Sequence, residues 1–167
     1  MRRYQAIKGL LISLLILLPL HIVGEEIRIG FVDVSKAFDE YPETKRATDI
    51  LNKEIEARRV KISSFQSEIE RLEGEIEGLR DEEARTKKKA LLEEKRRELR
   101  EYAGDARTYL AKREQELTKE IVNKIYEAIK KVAAERKVSI VVEKNTILYG
   151  APDLDLTEDV IKVLKGE

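Results

Sequence analysis

Between Pro42 and Pro152 the chain contains no proline, and within that stretch apolar residues recur at every seventh position. Ile55, Ile62, Ile69 and Ile76 form one series. Leu51, Phe65, Leu72 and Leu79 form a second, broken only where Arg58 takes the place of an apolar residue. With the isoleucines at position a and the second series at d, the stretch spells about four heptads of a left-handed coiled-coil seam. At about 1.5 Å per residue, residues 43–80 make a rod roughly 55 Å long. Almost everything off the seam is charged, so this part of the chain has only a narrow stripe to bury.

The seam stops at "RDEEARTKKKA", Arg80 to Ala90, which holds no apolar residue larger than alanine. Periodicity resumes with Leu92, Leu99 and Ala106 in one series and Ala103, Leu110 and Leu117 in the other. Two seams flanking a polar break predict an antiparallel helical hairpin with its tip at Asp81 to Thr86. The acidic Asp81, Glu82 and Glu83 suit a helix N-terminus, and Lys87, Lys88 and Lys89 follow one turn later. No glycine or proline lies within that tip, so one continuous helix stays open as the alternative. Beyond Leu117 the steps shift to Ile121, Ile125, Ala128 or Ile129, and Val132. That is closer to the straight-helix period, and predicts a return helix that leaves its partner and packs on a globular base.

The base is predicted from the two ends. Ile27, Ile29, Phe31 and Val32 read as a strand, with Ser35 capping a short helical turn through Glu40 and Pro42 opening the next helix. Val138 to Glu143, with Ile140, Val141 and Val142, reads as a second strand. "EKNT" reads as a turn in which Asn145 takes an unusual backbone angle, and Ile147, Leu148 and Tyr149 as a third strand pairing back. The first two strands, joined by the helical excursion, are expected to lie parallel. Thr157 is expected to cap a last helix carrying Val160, Ile161 and Leu164. The fold class is therefore α+β: residues 25–42 and 137–167 form a small β-rich body and oligomer core, and residues 43–136 a projecting helical arm.

Residues 1–24 are different material. Arg2, Arg3 and Lys8 precede "LLISLLILLPL", and Gly24 precedes an abrupt Glu25–Glu26. The apolar run is shorter than the roughly 20 residues of a bilayer span, which matches a cleavable export signal. Ile22 is a poor substitute for the small residue usual there, so a retained anchor is the alternative. Cleavage after Gly24 removes His21, the one histidine, and takes the formal charge from 0 to −3 by loss of Arg2, Arg3 and Lys8. The chain has no cysteine. An exported domain with a small core and no disulfide points to self-association as a source of stability.

Lys+Arg and Asp+Glu each total 33. This balance offers no broad basic face for nucleic acid. Without histidine or cysteine in the processed chain, the usual nucleophile and base pairs and soft-metal sites are missing, and there is no phosphate-binding glycine loop. Asp33, Asp39, Asp153, Asp155 and Asp159 are read as turn and cap residues rather than as a metal site. No enzyme activity and no cofactor is expected.

The export signal, the opening "IGFVDVSKAF", the charged hairpin and the closing "VSIVVEKNTILYGAPDLDLTEDVIKVL" together resemble the OmpH/Skp family of periplasmic chaperones. The resemblance covers the whole processed chain, and the two ends are its specific part. It implies a jellyfish-shaped homotrimer, with three bodies joined and three hairpins enclosing a cavity. It also implies a periplasmic holdase that keeps unfolded outer-membrane proteins from aggregating without ATP. Well-known members are basic whereas this chain is not, which weakens electrostatic capture of clients and contact with lipopolysaccharide. A coiled-coil spacer tethered to the membrane by an uncleaved N-terminus is the competing reading.

Within that frame Phe65, Tyr102 and Tyr109 are candidate client contacts, against a plainer role as residues flanking the seam. Lys87, Lys88, Lys89, Arg96, Arg97 and Arg100 are candidates for anionic lipid, against pairing with the interleaved Glu93, Glu94, Glu98 and Glu101. Gly74 and Gly78 spell a membrane-dimer motif, but among glutamates they read as outer-face residues that either loosen the arm or are simply tolerated, as does Gly104.

Overall fold

The computed structural model describes residues 27–167. The expected export signal lies outside the described residues. The chain runs β1 (Ile29–Val32), α1 (Val34–Glu40), α2 (Pro42–Glu77), α3 (Glu82–Glu135), β2 (Ile140–Glu143), two 3-10 turns at Lys144–Thr146 and Pro152–Leu154, and α4 (Thr157–Lys165).

Helices α2 and α3 form the hairpin. Contacts along it run Glu54 to Arg113, Phe65 to Tyr102 and Glu73 to Arg96, so one residue number falls as the other rises and the helices are antiparallel. The turn lies at Gly78–Asp81, earlier than the predicted Asp81 to Thr86. Asp81 is the last turn residue: it caps α3, its carboxylate accepting from the Glu83 and Ala84 N–H groups, while Thr86 is already helical. Gly78 ends α2 in a right-handed conformation, φ −80°, so it is a boundary residue rather than an outer-face one.

Strands β1 and β2 pair in parallel, in the register Ile29 to Ile140 through Val32 to Glu143. On the far side of β1, Phe31 bridges to Asp155, and the Leu156 N–H donates to the Phe31 carbonyl at 2.9 Å. Ile147–Tyr149, expected to pair back on β2, forms no strand, and the chain after Pro152 runs instead along the far side of β1. The reason is local. The Thr146 hydroxyl donates to the Glu143 carbonyl and Lys144 pairs with Asp155 at 3.0 Å, which turns the chain out of the sheet over Phe31. Asn145 keeps an ordinary backbone; the non-glycine residue at positive φ is Lys137, at 54°. Lys137 closes α3, its N–H bonding the Ala134 carbonyl and the Val138 N–H the Ala133 carbonyl, the usual pattern of a left-handed helix stop.

Two caps also differ from expectation. Asp33, not Ser35, caps α1, accepting from the Lys36 N–H at 2.9 Å, because the helix already includes Val34. Leu156 precedes α4, and Thr157 is its first residue rather than its side-chain cap. The Thr157 hydroxyl is engaged elsewhere: it accepts from the Asp33 N–H at 2.9 Å and donates to Asp155 at 2.5 Å.

One core holds the body together. Val32 of β1, Ala37 of α1, Ile125 and Val132 of α3, and Leu156, Val160 and Ile161 at α4 are buried against one another. Burying a side chain of this size contributes about 1.5–3 kcal/mol. Since α3 supplies much of this core, the arm is rooted in the body. A second small core, Leu72, Ile76 and Leu92 with Ile69 against it, closes the distal arm.

Candidate functional site

The surface to be explained is the hairpin and the exposed face of the body. Near the tip the heptad series meet as the spacing requires. Leu72 and Ile76 meet Leu92, Ile62, Ile69, Leu79, Leu99 and Leu110 are half-buried, and Leu117 is buried toward the root. Cross-arm ion pairs flank this seam: Glu73 to Arg96 at 2.6 Å, Glu68 to Lys95 at 3.9 Å, and Glu75 to Lys88. The hydrogen bond from Lys88 leads the causes that hold the Glu75 carboxyl below its ordinary value, and Glu73 likewise raises Arg96.

Midway along the arm the heptad fails. The half-buried positions of α2 step from Ile62 to Arg58 to Glu54 and then Leu51, two successive steps of four residues. This local eleven-residue spacing unwinds the left-handed supercoil. Ile55 therefore leaves the seam, 38% exposed, and Glu54 enters it. A polar layer results. The Arg58 guanidinium lies 3.8 Å over the Tyr109 ring, Arg113 Nε stands 3.4 Å from Glu54 Oε1, and Glu54 Oε2 is buried without a hydrogen-bond partner.

Of the aromatic candidates, Phe65 and Tyr102 are half-buried against each other at 5.7 Å between ring centres, and Tyr109 is exposed beside Arg58. The basic candidates divide. Lys87 pairs with Glu83, Lys88 with Glu75, and Arg96 with Glu73 and Glu93. Lys89, Arg97 and Arg100 make no ion pair among the described residues.

Toward the root the small Ala47 lies against the edge of the body core. A groove of about 660 Å³ opens there, lined by the apolar Tyr41, Ala47, Ile50, Leu117 and Ile121 and by the charged Glu43, Arg46, Glu120 and Lys124. Sequence reasoning missed it. Its signal was present in Ala47, a small residue where the seam continues toward the body.

The body candidates fall in two groups. Phe31 and Val32 are buried and Val141, Val142 and Ile147 are half-buried, whereas Ile27, Ile29, Ile140, Leu148 and Tyr149 are exposed in the single chain. Among the described residues there is no group of three histidine, cysteine or acidic side chains placed to hold a metal ion. No described helix is long and apolar enough to cross a membrane. What the arrangement offers is contact surface: a partly closed apolar seam, a charged wall and an open sheet face.

Comparison with known proteins agrees with this geometry. The Skp chaperone of Yersinia enterocolitica is 25% identical over 141 residues, 83% of this chain and 86% of that protein. The Skp chaperone of Salmonella typhimurium is 39% identical over 56 residues, but there the match spans only 33% of this chain and 35% of the relative. A solved OmpH-like outer membrane chaperone of Caulobacter crescentus superposes with a TM-score of 0.77 over 84% of this chain and 85% of that one, at 13% identity, and so shares the fold. Residues 28–164 match the family described as outer membrane protein (OmpH-like). From strand β1 to the end of α4, hairpin included, the chain belongs to the OmpH family.

Proposed function

We propose that the processed chain is an ATP-independent holdase of the periplasm, exported by residues 1–24 and acting as a homotrimer on unfolded outer-membrane β-barrel proteins. The observation that carries this reading is the arm itself. It is a long hairpin rooted in a small body, with Ile50, Ile55, Val60, Leu91 and Tyr109 exposed singly among charges along its length. Isolated apolar side chains in a charged, hydrated wall give many weak contacts and no decisive one. Such a wall isolates an unfolded chain and still lets it go. The chemistry is non-enzymatic and needs no cofactor. For anionic lipid or lipopolysaccharide the arm offers Lys89, Arg97 and Arg100, the members of the basic cluster without a carboxylate partner.

The test is native mass with and without an unfolded β-barrel client, together with light scattering of that client diluted from urea without nucleotide. The expected result is a trimer that gains one client chain and suppresses scattering. A single chain indifferent to the client overturns the reading. An intact N-terminus in the membrane fraction favours the tethered spacer instead.

A further inference from the structure

The distal arm is built of like layers. Ile62, Ile69 and Ile76 repeat every seven residues on α2, as do Leu92, Leu99 and Ala106 on α3, with Tyr102 and Tyr109 beside them. Sliding α3 by one heptad toward the tip keeps every side chain on its own face of the helix. Leu72 and Ile76 then meet Leu99 in place of Leu92, and Phe65 meets Tyr109 in place of Tyr102. The turn does not forbid the move. A longer turn unwinds Glu82 to Lys88, where Ala84 is the one apolar residue, whereas a slide the other way unwinds the buried Ile76 layer.

The body settles the register late. Ile125 and Val132 of α3 pack against Val32 and Ala37 together with Leu156, Val160 and Ile161, the last core residues along the chain. A slipped arm carries Ile125 and Val132 about 10 Å past these partners, at 1.5 Å per residue, and cannot root.

The mid-arm polar layer tells the two registers apart. In the native one Arg113 Nε stands 3.4 Å from Glu54 Oε1, and Arg58 covers Tyr109. One heptad on, Glu54 faces Glu120, and Arg58 exchanges the ring for Glu116. Cross-arm pairs nearer the tip are lost too: Glu73 meets Ala103 instead of Arg96, and Glu68 meets Tyr102 instead of Lys95. The Glu54 side chain is only 25% exposed, so a second carboxylate beside it is screened less than on the open surface. Glu120 makes no ion pair among the described residues, so its charge has no attractive partner within the native arm.

We propose that the Glu54–Arg113 layer is a register key, and that Glu120, one heptad beyond Arg113, is the residue that rejects the slipped arm. The key acts while the hairpin forms and the body is still open. Polar residues inside a helical seam fix register at a cost in stability, and a layer whose Glu54 Oε2 is buried without a hydrogen-bond partner carries such a cost.

The chain has no cysteine, so introduced ones report without background. The processed full-length chain is refolded from urea in the presence of a bismaleimide too short to span the extra heptad. Glu73→Cys/Arg96→Cys reports the native register and Glu73→Cys/Ala103→Cys the slipped one. Each pair is combined in turn with Glu120→Gln, Glu120→Lys and Glu54→Leu/Arg58→Leu. The expected result is a dominant 73–96 link in the parent, and a 73–103 share that rises with Glu120→Gln and, by roughly threefold to tenfold, with Glu120→Lys. The double leucine variant raises that share as well, even where its final thermal midpoint is higher. An unmoved 73–103 share in Glu120→Lys overturns the role of Glu120, and an unmoved share in the double leucine variant overturns the key. So does a share that rises only as helical circular dichroism is lost, because slip keeps both helices.

Discussion

Arg58 on the outgoing helix lays its guanidinium 3.8 Å over the ring of Tyr109 on the return helix, at the level where the seam exchanges Ile55 for Glu54. The side chains of Glu54 and Arg58 are only 25% and 22% exposed, so both are substantially desolvated, while Glu54 Oε2 has no hydrogen-bond partner. Partly buried ion pairs of this kind are often weaker than apolar residues of similar volume. Glu54→Leu/Arg58→Leu is therefore expected to stabilise the arm by about 1–2 kcal/mol, allowing for the loss of a cation–π contact. Thermal unfolding followed by circular dichroism checks the sign, and a lower midpoint would show the polar layer to be net stabilising.

Lys137 occupies the left-handed region at φ 54°, where a side chain costs about 1–2 kcal/mol against glycine. Lys137→Gly is expected to raise stability by about 0.5–1 kcal/mol, the freer unfolded glycine taking back the remainder. Denaturant midpoints at constant slope measure it.

Gly150 and the arm glycines should respond in opposite directions. A side chain at Gly150 overlaps Phe31, and overpacking of this kind costs about 1–3 kcal/mol, so Gly150→Ala lowers the melting point. Gly74 and Gly104 have open space around them, and alanine there should add roughly 1 kcal/mol each. If the doubly substituted arm is more stable yet suppresses client scattering as well as wild type, the two glycines are tolerated rather than used for flexibility.

Burial pushes the Asp155 carboxyl up, but the hydrogen bonds from the Thr157 hydroxyl and N–H and from Lys144 together outweigh it, leaving its pKa below the ordinary aspartate value. A group depressed on folding contributes stability that is present above its unfolded pKa, near pH 4, and is lost as the pH falls through its folded value. Asp155→Asn should lower stability at neutral pH and flatten the acid side of the curve below about pH 4. Urea midpoints between pH 7 and 3 for both proteins test this, and parallel curves would remove Asp155 from the account of acid loss.

How far the sequence could be read depended on whether a residue's place was set by periodicity or by contacts from a distance. Leu72, Ile76 and Leu92 follow a seven-residue repeat, so their meeting was legible from spacing alone. Ile140 to Glu143 is β-branched and short, and its parallel pairing with β1 follows from the helices between. Ile147–Tyr149 has the same composition and forms no strand on β2, because the Thr146 contact to the Glu143 carbonyl and the Lys144 pair with Asp155 carry the loop away over Phe31. The exchange of Ile55 for Glu54 was hidden for a related reason. Arg58 broke the d series in plain sight, but that the helix would shift its contact stripe depended on Tyr109 and Arg113 facing it.

Asp33 and Thr157 are joined by a hydrogen bond although 124 positions separate them, whereas the turn at Gly78–Asp81 joins its helices through neighbours. Loop closure is slow over such distances and fast over short ones, so the rod is expected to zip first from its far end and the ribbon of strands to form last. During synthesis the leading strand therefore waits, unpaired, until nearly the whole polypeptide has emerged. A nascent chain that has emerged through Glu135 but not yet through Ile140 is expected to hold a finished finger with no palm.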